Sequence, residues 1–348
     1  MLRLRRSDLE GPGLRRRRRG KGFSYHYDDG SPVRDLETLE RIRALVIPPA
    51  WKDVWISPWP NGHIQAVGVD AKGRRQYRYH DVWRAQRDEA KFDHVLEVAA
   101  ALPRLRERCS ADLALDGMPR SRVLAAAARL LDVGFFRVGG EEYVEENGSH
   151  GLCTLLRRHV AVRGDELLFD FPAKSGRRRV QSVVAPELLD VVEALKRRGG
   201  GSRRLLAYKE GGRWHDLCAP EVNAYLRQVS GCAVTAKDFR TWNATVLASV
   251  ALAVSWKAGA GRSSQDRAVR RAVCEVAEYL GNTPAVCRTS YIDPRVIDLY
   301  RDGVTVRRSL DRIGEAGYGT LATHGAVERA VLSMLTRAHE HQELARAA

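Results

Sequence analysis

Apolar positions recur along this chain with two different periods, and the changeovers divide it. Over residues 36–46 (LETLERIRALV) they fall three and four apart, the spacing of one helical face, until Ile47-Pro48-Pro49 interrupts. Residues 51–80 switch to short runs, DVWIS, HIQAVGVD and RQYRYH, parted by the turn residues of PWPNG and AKGR, which predicts a β-meander. From about residue 91 helical spacing returns, in RDEAKFDHVLEVAAALPRLRERC and in MPRSRVLAAAARLLDVG, with Gly134 as the stop. Residues 157–184 break the pattern again. RHVAVRG, ELLFDFP and RRRVQSVV alternate and are separated by GD and AKSG, so they predict three antiparallel strands with two tight turns. Helices are expected at 186–198, 220–229, 237–256 and 264–280, and a last one at 326–345 after a Gly-rich loop. The fold class this implies is α+β, with a small antiparallel β domain at 23–90 and a larger, mostly α-helical domain at 91–348 carrying a three-stranded β insertion.

Charge adds a partner to this picture. The 348 residues carry a formal net charge of +15. Such an excess favours a polyanion, nucleic acid before an anionic membrane surface. Residues 1–22 concentrate it, with eight Arg and one Lys against Asp8 and Glu10, and predict a solvated, mobile basic arm that binds phosphates without reading bases. That arm has no apolar core of the kind a signal peptide needs. The longest apolar run, VLASVALAVSW at 246–256, is too short to span a bilayer. Six scattered cysteines without a CxxC pair suit a reducing compartment, and the expectation is a soluble cytoplasmic protein associated with the nucleoid.

Several chemistries lack support. No HExxH, EF-hand loop or carboxylate cluster is present, and the two histidines of HEHQE, His339 and His341, fall on different sides of a helix, so no metal is expected. The segment GFFRVGGEEY is Gly-rich but has neither a P-loop ending nor the order of a dinucleotide turn, so no nucleotide cofactor is expected.

The basic residues are more informative. Arg137 follows the predicted stop at Gly134 in a Gly-flanked segment where backbone approaches a ligand closely. Lys174 stands at the tip of a predicted hairpin. Arg240, in KDFRTW, is expected in the first turn of a strongly apolar helix, where an N-terminus already favours phosphate. Tyr291 occupies a boundary between two helical patterns in GNTPAVCRTSYIDPRV.

Taken in order, Arg137, Lys174, Arg240 within KDFR, Asn282 and Tyr291 resemble the active-site series of the type IB DNA topoisomerases, most of all the small poxvirus and bacterial branch. In that family the series is an Arg, a hairpin Lys, the Arg of KxxR, a His or Asn, and a Tyr nine residues on, and nine residues separate Asn282 from Tyr291. The strand GRRQYRYH is similar to the family's DNA-reading strand, which implies Gln76, Tyr77 and Tyr79 as DNA contacts. Tyr143 matches another contact, and Lys237 is implied as an assisting cation. The resemblance covers about residues 20–310.

The implied reaction transfers a phosphoryl group to tyrosine. A phenol of pKa near 10 is ionised to about one part in a thousand at neutral pH, so the nucleophile needs help. Arg137 and Arg240 would offer planar forks to the non-bridging oxygens, with Asn282 donating one further hydrogen bond. Lys174 would protonate the departing 5′-hydroxyl. The 3′-phosphotyrosyl bond conserves the ester for religation, so neither ATP nor a metal is required. The resemblance also implies a monomer clamping around double-stranded DNA. Asn282 departs from the poxvirus and eukaryotic members, which have His, and it can donate a hydrogen bond but carry no charge. A tyrosine recombinase shares this logic, yet usually carries HxxR and a helical N-terminal domain. A non-catalytic DNA-binding or architectural protein would explain the charge but not the ordered series.

Overall fold

The computed structural model describes residues 3–314 and 324–347, and the chain divides into two compact units, Met1–Lys91 and Phe92–Ala348. In the first unit, β1 (Leu14–Arg19), β2 (Gly22–Tyr27), α1 (Leu36–Ala44), β3 (Lys52–Ile56), β4 (Ile64–Val69) and β5 (Arg75–Tyr79) precede α2 (Asp81–Leu113). The strands form an antiparallel sheet in the order β2-β1-β3-β4-β5. The meander expected at 51–80 is therefore its β3–β5 half. Asp35 caps α1 by accepting from Thr38 N at 2.8 Å, and Ile42 packs with Leu14, Val54, Ile56 and Ala66 in the unit's core.

The mobile arm expected at residues 1–22 is corrected by β1. Arg15 to Arg19 lie in a strand paired along its whole length with β2, from Leu14↔Tyr27 to Arg19↔Gly22. The charges are accommodated individually. Arg15 pairs with Asp28 at 3.1 Å. Arg16 lies over the Phe23 ring at 4.1 Å and donates to the carbonyls of Ile47, Pro48 and Trp51. The sequence signal was GFSYHY after Gly20-Lys21, an alternating aromatic partner strand behind a two-residue turn.

The second unit continues with α3 (Arg120–Gly134), α4 (Glu141–Asn147), β6 (Val160–Arg163), β7 (Glu166–Pro172), β8 (Arg178–Val184), α5 (Leu189–Arg197), β9 (Ala207–Glu210), β10 (Arg213–Asp216), α6 (Ala219–Ser230), α7 (Ala236–Ser255), α8 (Arg262–Leu280), α9 (Pro284–Ser290), α10 (Pro294–Arg301), α11 (Arg307–Gly314) and α12 (Ala326–Ala347). The predicted three-stranded insertion is the β6-β7-β8 sheet. The β9–β10 hairpin was not expected. Its two-residue turn is Gly211-Gly212, both at positive φ (56° and 79°), as a tight hairpin turn requires. Helix α2 starts at Asp81, ten residues before helical spacing becomes visible in the sequence, and Pro103 lies inside it. The Gly-rich stretch before the last helix falls largely at 315–323, outside the described residues.

Helix α7 organises the second unit, packing against α3, α8, α10, α11 and α12. Its Trp242 is fully buried and donates Nε1–H to Glu328 at 2.7 Å. Glu328 also receives Arg106, which forks onto buried Asp132 at 2.9 Å, so α12 is tied to α2, α3 and α7 by one satisfied polar network. No helix of the described residues is long and apolar enough to cross a membrane.

Candidate active site

The C-terminus of α8 is the organising feature. Gly281 caps it in the left-handed region (φ 60°), and Asn282 N–H returns to the Ala277 carbonyl at 2.9 Å, closing the helix and fixing where Asn282 leaves it. The last carbonyls of a helix lack internal donors and carry partial negative charge. Here three consecutive ones each receive a different guanidinium. Tyr279 O accepts from Arg179 at 2.7 Å, Leu280 O from Arg240 at 2.9 Å and Gly281 O from Arg137 at 3.1 Å.

Each arginine reaches this point from a separate element. Arg137 follows α3, which ends differently from expectation. Gly134 is its last helical residue, and the left-handed position is taken by Phe135 (φ 54°). Gly134 is needed for space, since a Cβ there would lie 2.3 Å from the Phe136 ring. The unusual Phe135 conformation turns its carbonyl to accept a second hydrogen bond from Arg240. The loop carrying Arg137 is then held by Leu152 N and Cys153 N, which donate to Arg137 O and Val138 O at 2.8 Å. Gly139 and Gly151 touch so closely that a Cβ on Gly139 would lie 2.8 Å from Gly151 Cα.

Arg240 stands in the second turn of α7, whose Thr235 cap is closed by Asp238 accepting from Thr235 N at 2.8 Å. Only 2% of Arg240 is exposed, and its Nε is buried without a partner. Asn282 Oδ1 accepts from Arg137, which leaves its Nδ2 buried and without an acceptor. Two N–H donors at the cluster thus have nothing to bond within the described residues, a costly state unless an acceptor arrives.

Tyr291 is delivered by the short α9. Thr283 caps its start, Tyr291 N–H closes its end on Cys287 O at 3.0 Å, and Asp293 N-caps α10 two residues later. The segment is clamped from beneath. Thr245 Oγ1 on α7 accepts from Asp293 N at 3.2 Å and reaches the Tyr291 carbonyl at 3.3 Å. Buried Asp293 is gripped by Arg295, whose Nη1 also pairs with Asp93 at 2.8 Å. The half-buried phenol ring lies 5.2 Å from the Arg240 guanidinium carbon.

The electrostatics follow from this packing. Burial would push the Tyr291 phenol up, but Arg240, Arg137 and Lys237 together hold it below its ordinary value. Burial and Arg137 push Arg240 down to about 10, and burial with Arg240 and Arg137 pushes Arg179 down to about 10. Burial lowers Arg137 as well. No described carboxylate pairs with any of the three. Guanidiniums gathered in partly buried surroundings without a described counter-ion form a site suited to an anion.

The sequence candidates therefore fall into groups. Arg137, Arg240, Asn282 and Tyr291 come together. Lys237 is exposed in the first turn of α7, near enough to act on the phenol. Lys174 is exposed on the 3₁₀ turn Lys174–Gly176 between β7 and β8, and no hydrogen bond joins it to the cluster among the described residues. Tyr143 is 59% exposed on α4 and takes no part in the cluster's hydrogen bonds. In the first unit, Tyr77 and Tyr79 stack on one face of β5 at 5.9 Å, whereas strand alternation puts Gln76 on the other, where its amide donates to Asp70 at 3.0 Å. Arg179 was missed. Its position in RRR offers no spacing signal, because its partner on α8 lies about a hundred residues away in the chain.

The chain is also similar in sequence to known proteins. Residues 80–306 match the family model of the eukaryotic DNA topoisomerase I catalytic core, and residues 22–70 match that of the bacterial DNA topoisomerase IB N-terminal domain. The chain is 29% identical over 297 residues to DNA topoisomerase 1B of Acanthamoeba polyphaga mimivirus, covering 83% of this chain and 88% of the relative. It is 25% identical over 245 residues to DNA topoisomerase 1B of Vaccinia virus (strain Copenhagen), covering 68% and 72%, and 32% identical over 131 residues to DNA topoisomerase 1 of Daucus carota, covering 36% and 15%. With a catalytic-core match across well over half its length and an N-terminal match beside it, the chain belongs to the type IB DNA topoisomerase family.

Proposed function

We propose that the cluster at the end of α8 relaxes supercoiled duplex DNA by cutting one strand through Tyr291. The observation that carries this reading is the convergence of three carboxylate-free guanidiniums on one helix terminus beside a phenol whose pKa is lowered by cations around it. Tyr291 gives up its phenolic proton to solvent, its Oη attacks the scissile phosphorus, the P–O5′ bond breaks, and the product is a 3′-phosphotyrosyl enzyme with a free 5′-hydroxyl. Arg137 and Arg240 bind the non-bridging oxygens on which charge accumulates. The free Nδ2–H of Asn282 and Nε–H of Arg240 are the donors left for them. Lys174 supplies the proton to O5′, reaching in from its exposed turn once DNA is bound. Strand rotation and reversal of the same step reseal the duplex. The test is plasmid relaxation in EDTA without ATP. Relaxation supports the reading, and an inactive, folded, DNA-binding protein would refute it.

The pH dependence carries a definite sign. The phenol's lowered pKa means that single-turnover cleavage should rise with pH and level off below about pH 10, the ordinary value for tyrosine. Lys237→Ala removes one of the lowering charges and should move that break upward.

We infer also that the enzyme acts as a monomer whose two units grip the duplex, in the cytoplasm on nucleoid DNA. Tyr77, Tyr79, Gln76 and Tyr143 are its proposed DNA contacts, as the family's pattern suggests. Arg17, Arg18, Arg19 and Lys21 at the β1–β2 end have no ion-pair or hydrogen-bonded partner for their side chains among the described residues and supply non-specific phosphate affinity. Replacing Arg17, Arg18 and Arg19 with Ala should reduce the slope of log affinity against log salt by up to about 0.9 for each phosphate no longer neutralised. An unchanged slope would remove the hairpin from the DNA interface.

A further inference from the structure

Resting on that reading, we infer that Arg179 is a positioning residue that couples the Lys174 turn to the phosphate-binding end of α8. Arg179 and Lys174 are carried by the same hairpin, Arg179 in β8 and Lys174 in the turn that enters it. The turn is exposed and is closed by hydrogen bonds within itself, Ala173 N to Arg177 O at 2.8 Å and Gly176 N to Ala173 O at 3.0 Å. Nothing in that geometry directs Lys174 towards the cluster. The direction comes from the strand behind it.

Two side chains of β8 anchor the hairpin to both sides of the site. Arg179 Nη2 donates to Tyr279 O at 2.7 Å, three residues before Asn282. Gln181 Nε2 donates to Gly134 O at 2.8 Å, three residues before Arg137. The two anchors are locked together, because Arg179 Nε donates to Gln181 Oε1. Gly281 leaves room for the contact, since a Cβ there would lie 2.7 Å from Arg179 Nη1. Arg179 therefore spans the hairpin and the helix end that presents Asn282, and it bears the cost of standing uncompensated beside Arg137 and Arg240. A long side chain placed there only for solubility would sit in water or against a carboxylate. This one is bound to a backbone carbonyl and a neutral amide, which fixes direction at the expense of electrostatic comfort.

The role makes a specific kinetic prediction. If Arg179 acts by placing Lys174, its loss must matter only when the leaving group needs a proton. In Arg179→Ala, cleavage of an ordinary phosphodiester at a mapped site should slow by up to about a hundredfold, the effect expected of a misplaced catalytic group. With a 5′-bridging phosphorothiolate at the same site, the P–S bond breaks, the electron pair leaves on sulfur as thiolate, and no proton is required. Arg179→Ala should then cleave within a few-fold of wild type (roughly, the spread left by side effects of truncation), as should Lys174→Ala. Arg179→Lys keeps the charge but cannot bond both Gln181 and Tyr279, so it should resemble Arg179→Ala on both substrates.

Three results would overturn the inference alone while wild type cleaves. These are an Arg179→Ala rate equal to wild type on the phosphodiester, a defect that persists on the phosphorothiolate, or full recovery by Arg179→Lys. The last two would assign Arg179 to phosphate charge instead. A wild type that cleaves neither substrate overturns the enzymatic reading, and this inference with it. Recovery on the phosphorothiolate also demonstrates that the variant is folded.

Discussion

Tyr291→Phe is expected to abolish relaxation while leaving DNA affinity and thermal stability near those of wild type. The substitution removes one oxygen and keeps the ring, and the ring makes the packing contact, 5.2 Å from the Arg240 guanidinium carbon. What holds the segment is backbone and neighbours: Tyr291 N on Cys287 O, Thr245 on the Tyr291 carbonyl and on Asp293 N, and Arg295 on Asp293. None of these bonds uses the phenolic oxygen. The chemistry uses nothing else of the side chain. Without a nucleophile, the cluster can bind a phosphodiester but cannot exchange it, so the loss should be complete rather than graded. A variant that relaxes plasmid at the wild-type rate would move the nucleophile elsewhere. One that fails to bind DNA would show that the hydroxyl is structural.

Arg240→Met is expected to separate function from stability. Arg240 is almost fully buried, has no described carboxylate partner, and stands beside Arg137 with a pKa pushed down to about 10. Removing it leaves the carbonyls of Phe135 and Leu280 without that donor, a loss of about 1–3 kcal/mol for each buried group. Against that, an apolar side chain of similar length removes an unpaired buried charge and relieves repulsion on Arg137 and Arg179, a gain of the same order. The two nearly cancel, and the thermal midpoint should move little. The rate should not be spared. One donor to the charged transition state is worth about a hundred- to a thousandfold, and Arg240 offers a fork with an unfilled Nε beside it. Thermal melting and single-turnover cleavage on the same preparation check both halves. A large loss of stability with proportionate loss of rate would mean that Arg240 serves the fold first.

Much of this was legible in the sequence because periodicity and spacing are local. The meander at β3–β5, the β6–β8 insertion and the long apolar α7 announce themselves within windows of ten to twenty residues. Asn282 and Tyr291 stand on either side of one short helix, so their spacing survives into the structure intact. What was not legible depends on partners far along the chain or on backbone geometry. The Arg run reads as a solvated arm until GFSYHY is recognised as its partner strand. Phe135 in a left-handed conformation carries no sequence mark, since the Gly beside it is there to make room for Phe136. Arg179 is hidden among three arginines, and only the α8 carbonyls single it out. Those carbonyls are backbone atoms, which no residue pattern displays. The series Arg137, Arg240, Asn282 and Tyr291 reads in the sequence as a set of side chains, but what assembles it is the end of a helix.

The central claim is that Tyr291 Oη becomes covalently joined to DNA through a 3′-phosphate. The most direct measurement is to quench enzyme and plasmid with denaturant during relaxation, digest both polymers, and map the nucleotide-bearing peptide by mass spectrometry. A single adduct is expected, on the peptide containing Tyr291, released as a 3′-phosphotyrosyl nucleotide and lacking in Tyr291→Phe. An adduct on any other residue, a linkage to a 5′-phosphate, or relaxation with no covalent species would contradict it.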